Sequence, residues 1–456
     1  MSSLPTLSEL QTALSNGETS AVALTQTALA RIQDHTGEGA RVFTQVYVDQ
    51  ALAAAHASDT LRAAGLVRSP IEGLPISIKD LFDVQGEATR AGSVVLSDAP
   101  AATESALIVQ RLQQAGAVIV GKTNMTEFAF SGLGINPHYG TPSSPWDRES
   151  RRIPGGSSSG AGVSVADGMA VAAIGTDTGG SIRIPSAING LTGFKPTAQR
   201  IDAKGTLPLS FSLDSIGPLA ASVQCCATLD AILSGEAAAG KGYTPLQPRR
   251  VESLRLAVPD ALILDGADDT VRSTFERTLD LLRSAGAQIE SISIPEFAEL
   301  GKINRKGGLI CAEAWAWHRS LITEQADRYD PRVASRIVRG QAIDCADYIE
   351  LQQIRTQWIH AVEQRLRGID ALLMPTIPVV APRIADLEAS DELYFATNGL
   401  VLRNTTFINF LNGCATSLPC HRAGQAPVGL MIAGPAGQDR AVLDISLTIE
   451  QVLAAR

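Results

Sequence analysis

The spacing of apolar and polar positions changes period several times along the chain, and each change marks an element. Thr6 and Glu9 stand three apart ahead of an apolar run, a reciprocal capping pattern, and Asn16-Gly17 supplies a stop, so the chain opens with a short helix. Leu24, Ala28 and Ile32 then recur at helical spacing and predict a second helix. In Leu74-Pro-Ile-Ser-Ile-Lys-Asp80 the period drops to two. That places Ile76 and Ile78 on one side of a short strand and Ser77 and Lys79 on the other, with Lys79 at its C-terminal end. From Thr103 a helical pattern through Ile108, Leu112 and Ala115 leads into Ala-Gly-Ala117 and the apolar strand Val118–Val120. The same order returns with Phe275, Leu279 and Leu282, then Ala285-Gly-Ala287, then a strand whose Ile292 and Ile294 share a face. Two αβ units favour a layered α/β architecture. Between Ser234 and Arg250, Gly, Ala, Pro and charged residues dominate, which reads either as a domain linker or as a long surface loop. No repeat of solenoid period is present.

Composition narrows the class. With 45% hydrophobic and 19% charged residues over 456 positions, the chain has material for a large core and lacks the signature of disorder. Its net charge of −9 is spread without a basic cluster, which argues against a nucleic-acid footprint and a polybasic membrane anchor. The N-terminus has no basic and apolar leader pattern, and the most apolar stretch, Val163 to Gly175, is too short for a membrane span and carries Asp167. A cytoplasmic protein acting on small molecules is expected. Cys225, Cys226, Cys311, Cys345, Cys414 and Cys420 lack paired CxxC spacing, so reduced structural thiols are expected, with no metal site and no cofactor.

Two motif matches fail on their context. Gly116 to Thr123 satisfies GxxxxGK[ST], but a phosphate-binding loop needs flexible backbone after a strand, and here Ala-Val-Ile-Val fills the middle behind a helix. A buried strand is expected instead. Gly156-Ser-Ser158-Ser-Gly160 satisfies GxSxG, but the preceding Arg148 to Pro154 is polar and loop-like where a nucleophile elbow needs a core strand. His318, His360 and His421, the partners such a mechanism would require, each stand alone.

The chemistry concentrates between Ile153 and Thr197. The order is Ile-Pro-Gly-Gly-Ser157-Ser-Ser-Gly-Ala-Gly, a small-residue stretch, Gly175-Thr-Asp-Thr-Gly-Gly-Ser181-Ile-Arg-Ile-Pro185, then Gly-Phe-Lys-Pro-Thr197. Glycines let a ligand approach the main chain closely. Interleaved Val163, Val165, Val171 and Ile174 show that the segment is ordered and buried rather than a flexible linker.

This segment resembles the signature of the amidase signature family, whose core is a glycine-serine run ending in Gly-Gly-Ser-Ile-Arg. Gly73 to Asp80 is similar to the family's lysine strand and Thr141-Pro-Ser-Ser-Pro-Trp146-Asp147 to the loop before the signature. Ser212 to Pro218 and Pro427 to Gly434 also fit, so the likeness covers nearly the whole chain. It implies a single α/β domain over 1–456 with a large mixed sheet surrounded by helices, a signature core at about 70–220 and a variable substrate-lining region at about 300–400. It further implies that Ser181 is the nucleophile, that Ser157 follows a cis peptide and relays the proton, and that Lys79 is the final base. Thr178, Gly179, Gly180 and Ser181 would turn their N–H groups into an oxyanion hole.

The residues' own chemistry agrees. A serine hydroxyl needs a base to become a nucleophile, and a lysine can be that base only when neutral. Bringing its pKa from about 10.4 to near 7 takes about 4 kcal/mol, which apolar burial among Ile76, Ile78, Leu81 and Phe82 can supply. Ser157 could also N-cap the following helix, a role compatible with relay. Two glycines before the nucleophile free the backbone to converge on a developing charge. Asp177 is expected to brace that loop. Arg183 either forms a buried salt bridge or binds a substrate carboxylate. Met125, Phe128 and Phe130, beside Gly132-Leu-Gly134, either line an acyl or aryl site or pack in the core, and Trp315 and Trp317 fall in the variable region.

The expected activity is therefore hydrolysis of small-molecule C–N amide bonds through an acyl-enzyme, extending to esters or carbamates in a urethanase-like way, by a monomer or homodimer. A neutral, fairly apolar amide or carbamate substrate is expected from Phe128, Phe130, Trp315 and Trp317 and from the lack of an obvious second anion-binding arginine near Arg183. The alternative is the glutaminase subunit of a tRNA-dependent amidotransferase, against which Phe407 to Pro419 departs from the Ala-Gly-Leu-Pro pattern expected there. A non-catalytic binding protein is disfavoured by the complete Lys79, Ser157 and Ser181 set.

Overall fold

Capping and periodicity carry over directly at the N-terminus. Thr6 Oγ1 accepts from Glu9 N at 3.2 Å, the Glu9 carboxylate accepts from Thr6 N at 2.8 Å, and Gly17 at φ +73° closes the helix Leu7–Asn16. The helix Ala21–Gln33 buries Ala28 and Ile32 as the spacing requires, with Leu24 half-buried at the edge of that face. The protein is described here by a computed structural model covering residues 4–237 and 244–455.

Eleven strands among the described residues form one sheet: β1 (Phe43–Val46), β2 (Pro75–Lys79), β3 (Val118–Thr123), β4 (Ala172–Asp177), β5 (Thr192–Lys195), β6 (Ser215–Ala220), β7 (Arg255–Pro259), β8 (Gln288–Ile292), β9 (Ala371–Pro375), β10 (Cys414–Pro419) and β11 (Gly429–Gly434). Their spatial order is β1-β3-β2-β4-β6-β5-β10-β11-β9-β7-β8. The pairs β3/β2, β2/β4, β9/β7 and β7/β8 are parallel and the rest antiparallel, which is the mixed α/β sheet expected from the sequence.

Helices cover both faces. Ala28 and Ile32 of the helix Ala21–Gln33 and Ala51 and Ala55 of the helix Val48–Ala63 pack with Val118 and Val120 of β3 and with Val163. Ile76 and Ile78 of β2 point the other way, into the main core with Ile108, Leu112 and Ile174. The alternation read from 74–80 is thus real. Ser77 faces the short helix Ser159–Ala166, where its Oγ lies 2.9 Å from Ser164 Oγ, and Lys79 turns toward Ser157.

Several boundaries move. The helical pattern expected from Thr103 begins as a helix only at Leu107, because Ala106 is extended (φ −52°, ψ 146°) and its N–H is taken by Asp83 O at 2.8 Å. β3 runs on to Thr123, so the GxxxxGK[ST] match lies in a sheet strand between β1 and β2, as its apolar middle implied. β8 ends at Ile292, which leaves Ile294 beyond the strand. Of the stretch 234–250, residues 238–243 lie outside the described residues, and the rest runs between strands of one sheet. Its end rests on the helix Asp439–Ala454, with Gln247 N donating to Asp444 Oδ1 and Arg249 N to Thr448 Oγ1, both at 2.8 Å. The described part of the stretch thus packs back on the same sheet-and-helix unit and does not lead into a second one. No disulfide joins the six cysteines among the described residues; five of them are buried and Cys345 is exposed.

Candidate active site

The parallel trio β3, β2 and β4 ends at Thr123, Lys79 and Asp177, and in α/β sheets the crevice beyond the carboxyl ends of parallel strands is where ligands bind. Ile78 pairs with Ile174, and just beyond that register Lys79 Nζ lies 2.8 Å from Thr176 Oγ1 of β4 and 2.8 Å from Ser157 Oγ. Lys79 is wholly buried and forms no ion pair among the described residues. Burial pushes its pKa down to about 7 against the opposing pull of Asp214 and Asp177.

Ser157 is held from both sides. Its carbonyl accepts from Thr126 N at 3.1 Å and from Ser159 N at 2.9 Å, and the Gly156–Ser157 peptide is cis. The N-cap position of the following helix falls to Ser158, without a side-chain cap bond, so the hydroxyl of Ser157 serves Lys79 instead. That helix reaches the site because Gly160 has no side chain: a Cβ there would meet Val42 O at 2.4 Å and Asn124 N at 2.8 Å. Ser158 N donates to Ser181 O at 3.3 Å, which joins the 157–159 turn to the end of the glycine loop.

The loop Thr178–Ile182 is braced by a buried ion pair. Asp177 takes Arg183 Nε at 3.0 Å and Nη2 at 2.9 Å, and its Oδ2 also accepts from Ile182 N at 3.1 Å. Burial alone would raise the Asp177 carboxyl, but the Arg183 charge and hydrogen bonds hold it well below the usual range. The remaining Arg183 donors go to Thr405 O, Met431 Sδ and Asn409 Oδ1. With every guanidinium N–H engaged, Arg183 is the buried salt bridge of the two readings and offers no donor to a substrate.

Gly180 sits at φ +140°, and a Cβ there would meet Thr405 Oγ1 at 2.3 Å, so only glycine fits. Thr405 Oγ1 donates to Gly179 O, fixing the turn from outside. Among the described residues the N–H groups of Gly179, Gly180 and Ser181 donate to no protein acceptor, although the loop is buried. Thr178 Oγ1 donates to Asp214 Oδ1, and Asp214 Oδ2 accepts from Leu209 N at 2.9 Å and Ser210 N at 3.1 Å. Burial raises Asp214 to about 6, partly countered by those bonds and Lys79. The segment carrying Asp214 is tied to Glu313, which accepts from Ser210 Oγ at 2.5 Å, Ser212 N at 3.0 Å and Tyr348 OH at 2.8 Å.

Beside Thr178 opens a cavity of about 220 Å³ whose wall includes Phe130, Leu213, Leu309, Arg336, Arg339 and Phe410. Phe130 alone of the three apolar candidates reaches it. Met125 is fully buried near Gly92, and Phe128 is enclosed by Trp317, His318 and Tyr329 with centroids at 6.0, 4.4 and 5.3 Å, which is core packing. Trp315 packs on Gly340 and Trp317 joins the Phe128 cluster. His318 is buried with its Nδ1 3.0 Å from Tyr329 OH, burial driving its pKa down to about 3, and His360 is exposed. Thr405, Asn409, Glu313 and the two cavity arginines were not singled out from the sequence; no local motif marks them.

A mixed sheet thus carries a buried lysine without an ion pair among the described residues, a serine beside it and a braced glycine loop, and comparisons with known proteins place the chain. The profile of the amidase family matches residues 23–443. A 2-amino-5-chloromuconic acid deaminase of Comamonas testosteroni is 37% identical over 89% of this chain and 87% of its own. A glutamyl-tRNA(Gln) amidotransferase subunit of Chloroflexus aurantiacus is 33% identical over 94% of this chain and 92% of its own. A crystal structure of an amidase superposes with a TM-score of 0.87 at 32% identity, covering 98% of this chain and 99% of that one. The chain belongs to the amidase family.

Proposed function

We propose that the protein hydrolyses small amides through an acyl-enzyme on Ser181, with Ser157 as proton relay and Lys79 as base. The observation that carries this reading is a buried lysine, pKa about 7, sharing 2.8 Å contacts with Ser157 and Thr176 and no carboxylate. Near neutral pH such an amine is substantially unprotonated and accepts a proton through Ser157 from the Ser181 hydroxyl as Ser181 Oγ attacks the amide carbon. The oxyanion so formed falls to the N–H groups of Gly179, Gly180 and Ser181, which meet no protein acceptor among the described residues, with Thr178 completing the turn. On collapse the proton returns to the leaving nitrogen, and water then releases the acyl group by the same path. Esters and carbamates pass through the same oxyanion and should react too.

The test is kcat/KM against pH. The rate should rise through one ionisation near pH 7, because the lysine must lose its proton to act. Lys79→Ala should cost about 10²- to 10⁴-fold, Lys79→Arg should be as poor because guanidinium stays charged, and His318, His360 and His421 should each tolerate Ala. A histidine variant that is dead while Lys79→Ala turns over overturns the scheme. A second reading, one component of an amidotransferase complex, is favoured by the Chloroflexus likeness and predicts no activity from the chain alone.

A further inference from the structure

Asp214 belongs neither to the lysine and serine relay nor to the glycine loop, yet the sheet sets it against both. β4 and β6 run antiparallel with Asp177 opposite Ser215, so one step beyond the paired register Thr178 comes opposite Asp214. Side chains alternate along an extended chain, and the bonds follow that alternation. Thr176 Oγ1 lies 2.8 Å from Lys79 Nζ and Thr178 Oγ1 donates to Asp214 Oδ1, whereas Asp177 between them turns to Arg183. Lys79, Thr176, Thr178 and Asp214 therefore share one side of β4. The turn that carries Asp214 is built around its carboxylate: Oδ2 accepts from Leu209 N at 2.9 Å and Ser210 N at 3.1 Å, and Asp214 N donates back to Ser210 O at 2.9 Å. Glu313 anchors that turn through Ser210 Oγ and Ser212 N, and Arg355 Nη1 donates to Ser212 O at 3.3 Å. Thr178 is thus tied to a fixed platform just before the three N–H groups assigned to the oxyanion. The loop's other ties, Asp177 to Ile182 N and Thr405 to Gly179 O, do not reach Thr178.

A neutral acceptor would hold a threonine hydroxyl, so the charge needs its own reason, because drawing a carboxylate out of water is costly. Asp214 forms no ion pair among the described residues. Burial pushes its pKa up to about 6, and its hydrogen bonds and the Lys79 charge oppose this. The influence is mutual: burial pulls Lys79 down to about 7, with Asp214 and then Asp177 acting against it. Asp177 is itself met by Arg183 and Lys195, and Glu313, Tyr348 and Arg355 stand behind the turn of Asp214. Without Asp214 the buried amine would be a weaker base, further from the pH at which it has to work. Resting on the proposed catalytic reading, we propose that Asp214 is a positioning residue with two tasks: it clamps Thr178 so that the N–H groups that follow converge on the oxyanion, and its negative charge keeps Lys79 a strong enough base to take the relayed proton.

Two substitutions separate the tasks. Thr178→Val breaks the clamp and keeps the charge. Its kcat should fall about tenfold or more with little change in KM, because misplaced reacting groups cost rate rather than binding; the ionisation in kcat/KM should stay where it is, and Thr178→Ser should restore most of the loss. Asp214→Asn removes the charge and keeps the shape, since its amide oxygen can take the two backbone N–H groups and its amide nitrogen can donate to the Thr178 hydroxyl. With the negative charge gone the ammonium form of Lys79 is disfavoured, so the ionisation in kcat/KM should move to lower pH by about one unit, a change that a merely structural role would not produce. Asp214→Ser removes the same charge and reads the same shift should the amide variant fail to fold. Full kcat in Thr178→Val, or a loss confined to KM, overturns the clamp; a charge-removed profile that superimposes on wild type, or moves to higher pH, overturns the electrostatic task. Turnover that survives Ser181→Ala sinks the catalytic reading, whereas full kcat in Thr178→Val in a chain that needs Ser181 and Lys79 sinks the clamp alone.

Discussion

At the scale of single residues, the burial that would let Lys79 act as a base costs stability. Its folded pKa of about 7 lies far below the ordinary lysine value near 10.4, so between those pH values the unfolded chain binds the extra proton. Stability from this group therefore rises with pH across that window and is lowest, by about 4 kcal/mol, at and below pH 7. Lys79→Met removes the penalty and leaves the Ser157 and Thr176 hydroxyls short of one partner each, a smaller cost of about 1 kcal/mol apiece. The variant should be inactive yet unfold at higher denaturant than wild type at pH 6.5, with the gap closing toward pH 10; equal or lower stability at pH 6.5 contradicts the buried-amine assignment. Lys79 itself was legible because alternation across Ile76, Ser77, Ile78 and Lys79 is local. Its 2.8 Å contact to Ser157, 78 positions on, was not, and came only from the likeness to a family.

At the scale of elements, the glycine loop is held from outside by the helix Asp391–Phe410. Asn409 Nδ2 donates to Asp177 Oδ1 at 2.8 Å and its Oδ1 accepts from Arg183, while Thr405 fixes Gly179. Asn409→Leu leaves two buried charged groups each missing a bond, so it should lower stability by about 2–3 kcal/mol and reduce kcat through the disturbed loop, with a smaller change in KM because Asn409 also lines the cavity beside Thr178. Denaturant midpoints and steady-state kinetics check both; a change in KM alone would place Asn409 in substrate binding instead. The sequence could not show this brace, because the partners lie more than 200 positions apart and the helix carries no motif. The same reason hid Arg336, whose partner Phe130 lies 206 positions away. The periodic stretches, by contrast, declared their elements, and errors arose at ends such as Thr103 to Ala106, where a backbone bond to Asp83 overrides helical spacing.

At the scale of the whole molecule, one continuous sheet carries the serine and lysine elements, and the segment from Gly308 to Phe410 closes over them through Glu313, Arg336 and Asn409. All the groups assigned to catalysis come from one chain. The purified chain should accordingly turn over simple amides with no added protein, and activity appearing only with a second protein would favour the amidotransferase reading. The most direct measurement is covalent: treat the protein with a fluorophosphonate, digest it, and locate the adduct by mass spectrometry. A single adduct on Ser181, absent in Ser181→Ala and strongly slowed in Lys79→Ala, is the expected result. An adduct on Ser158, or labelling indifferent to Lys79, would contradict the assignment of nucleophile and base.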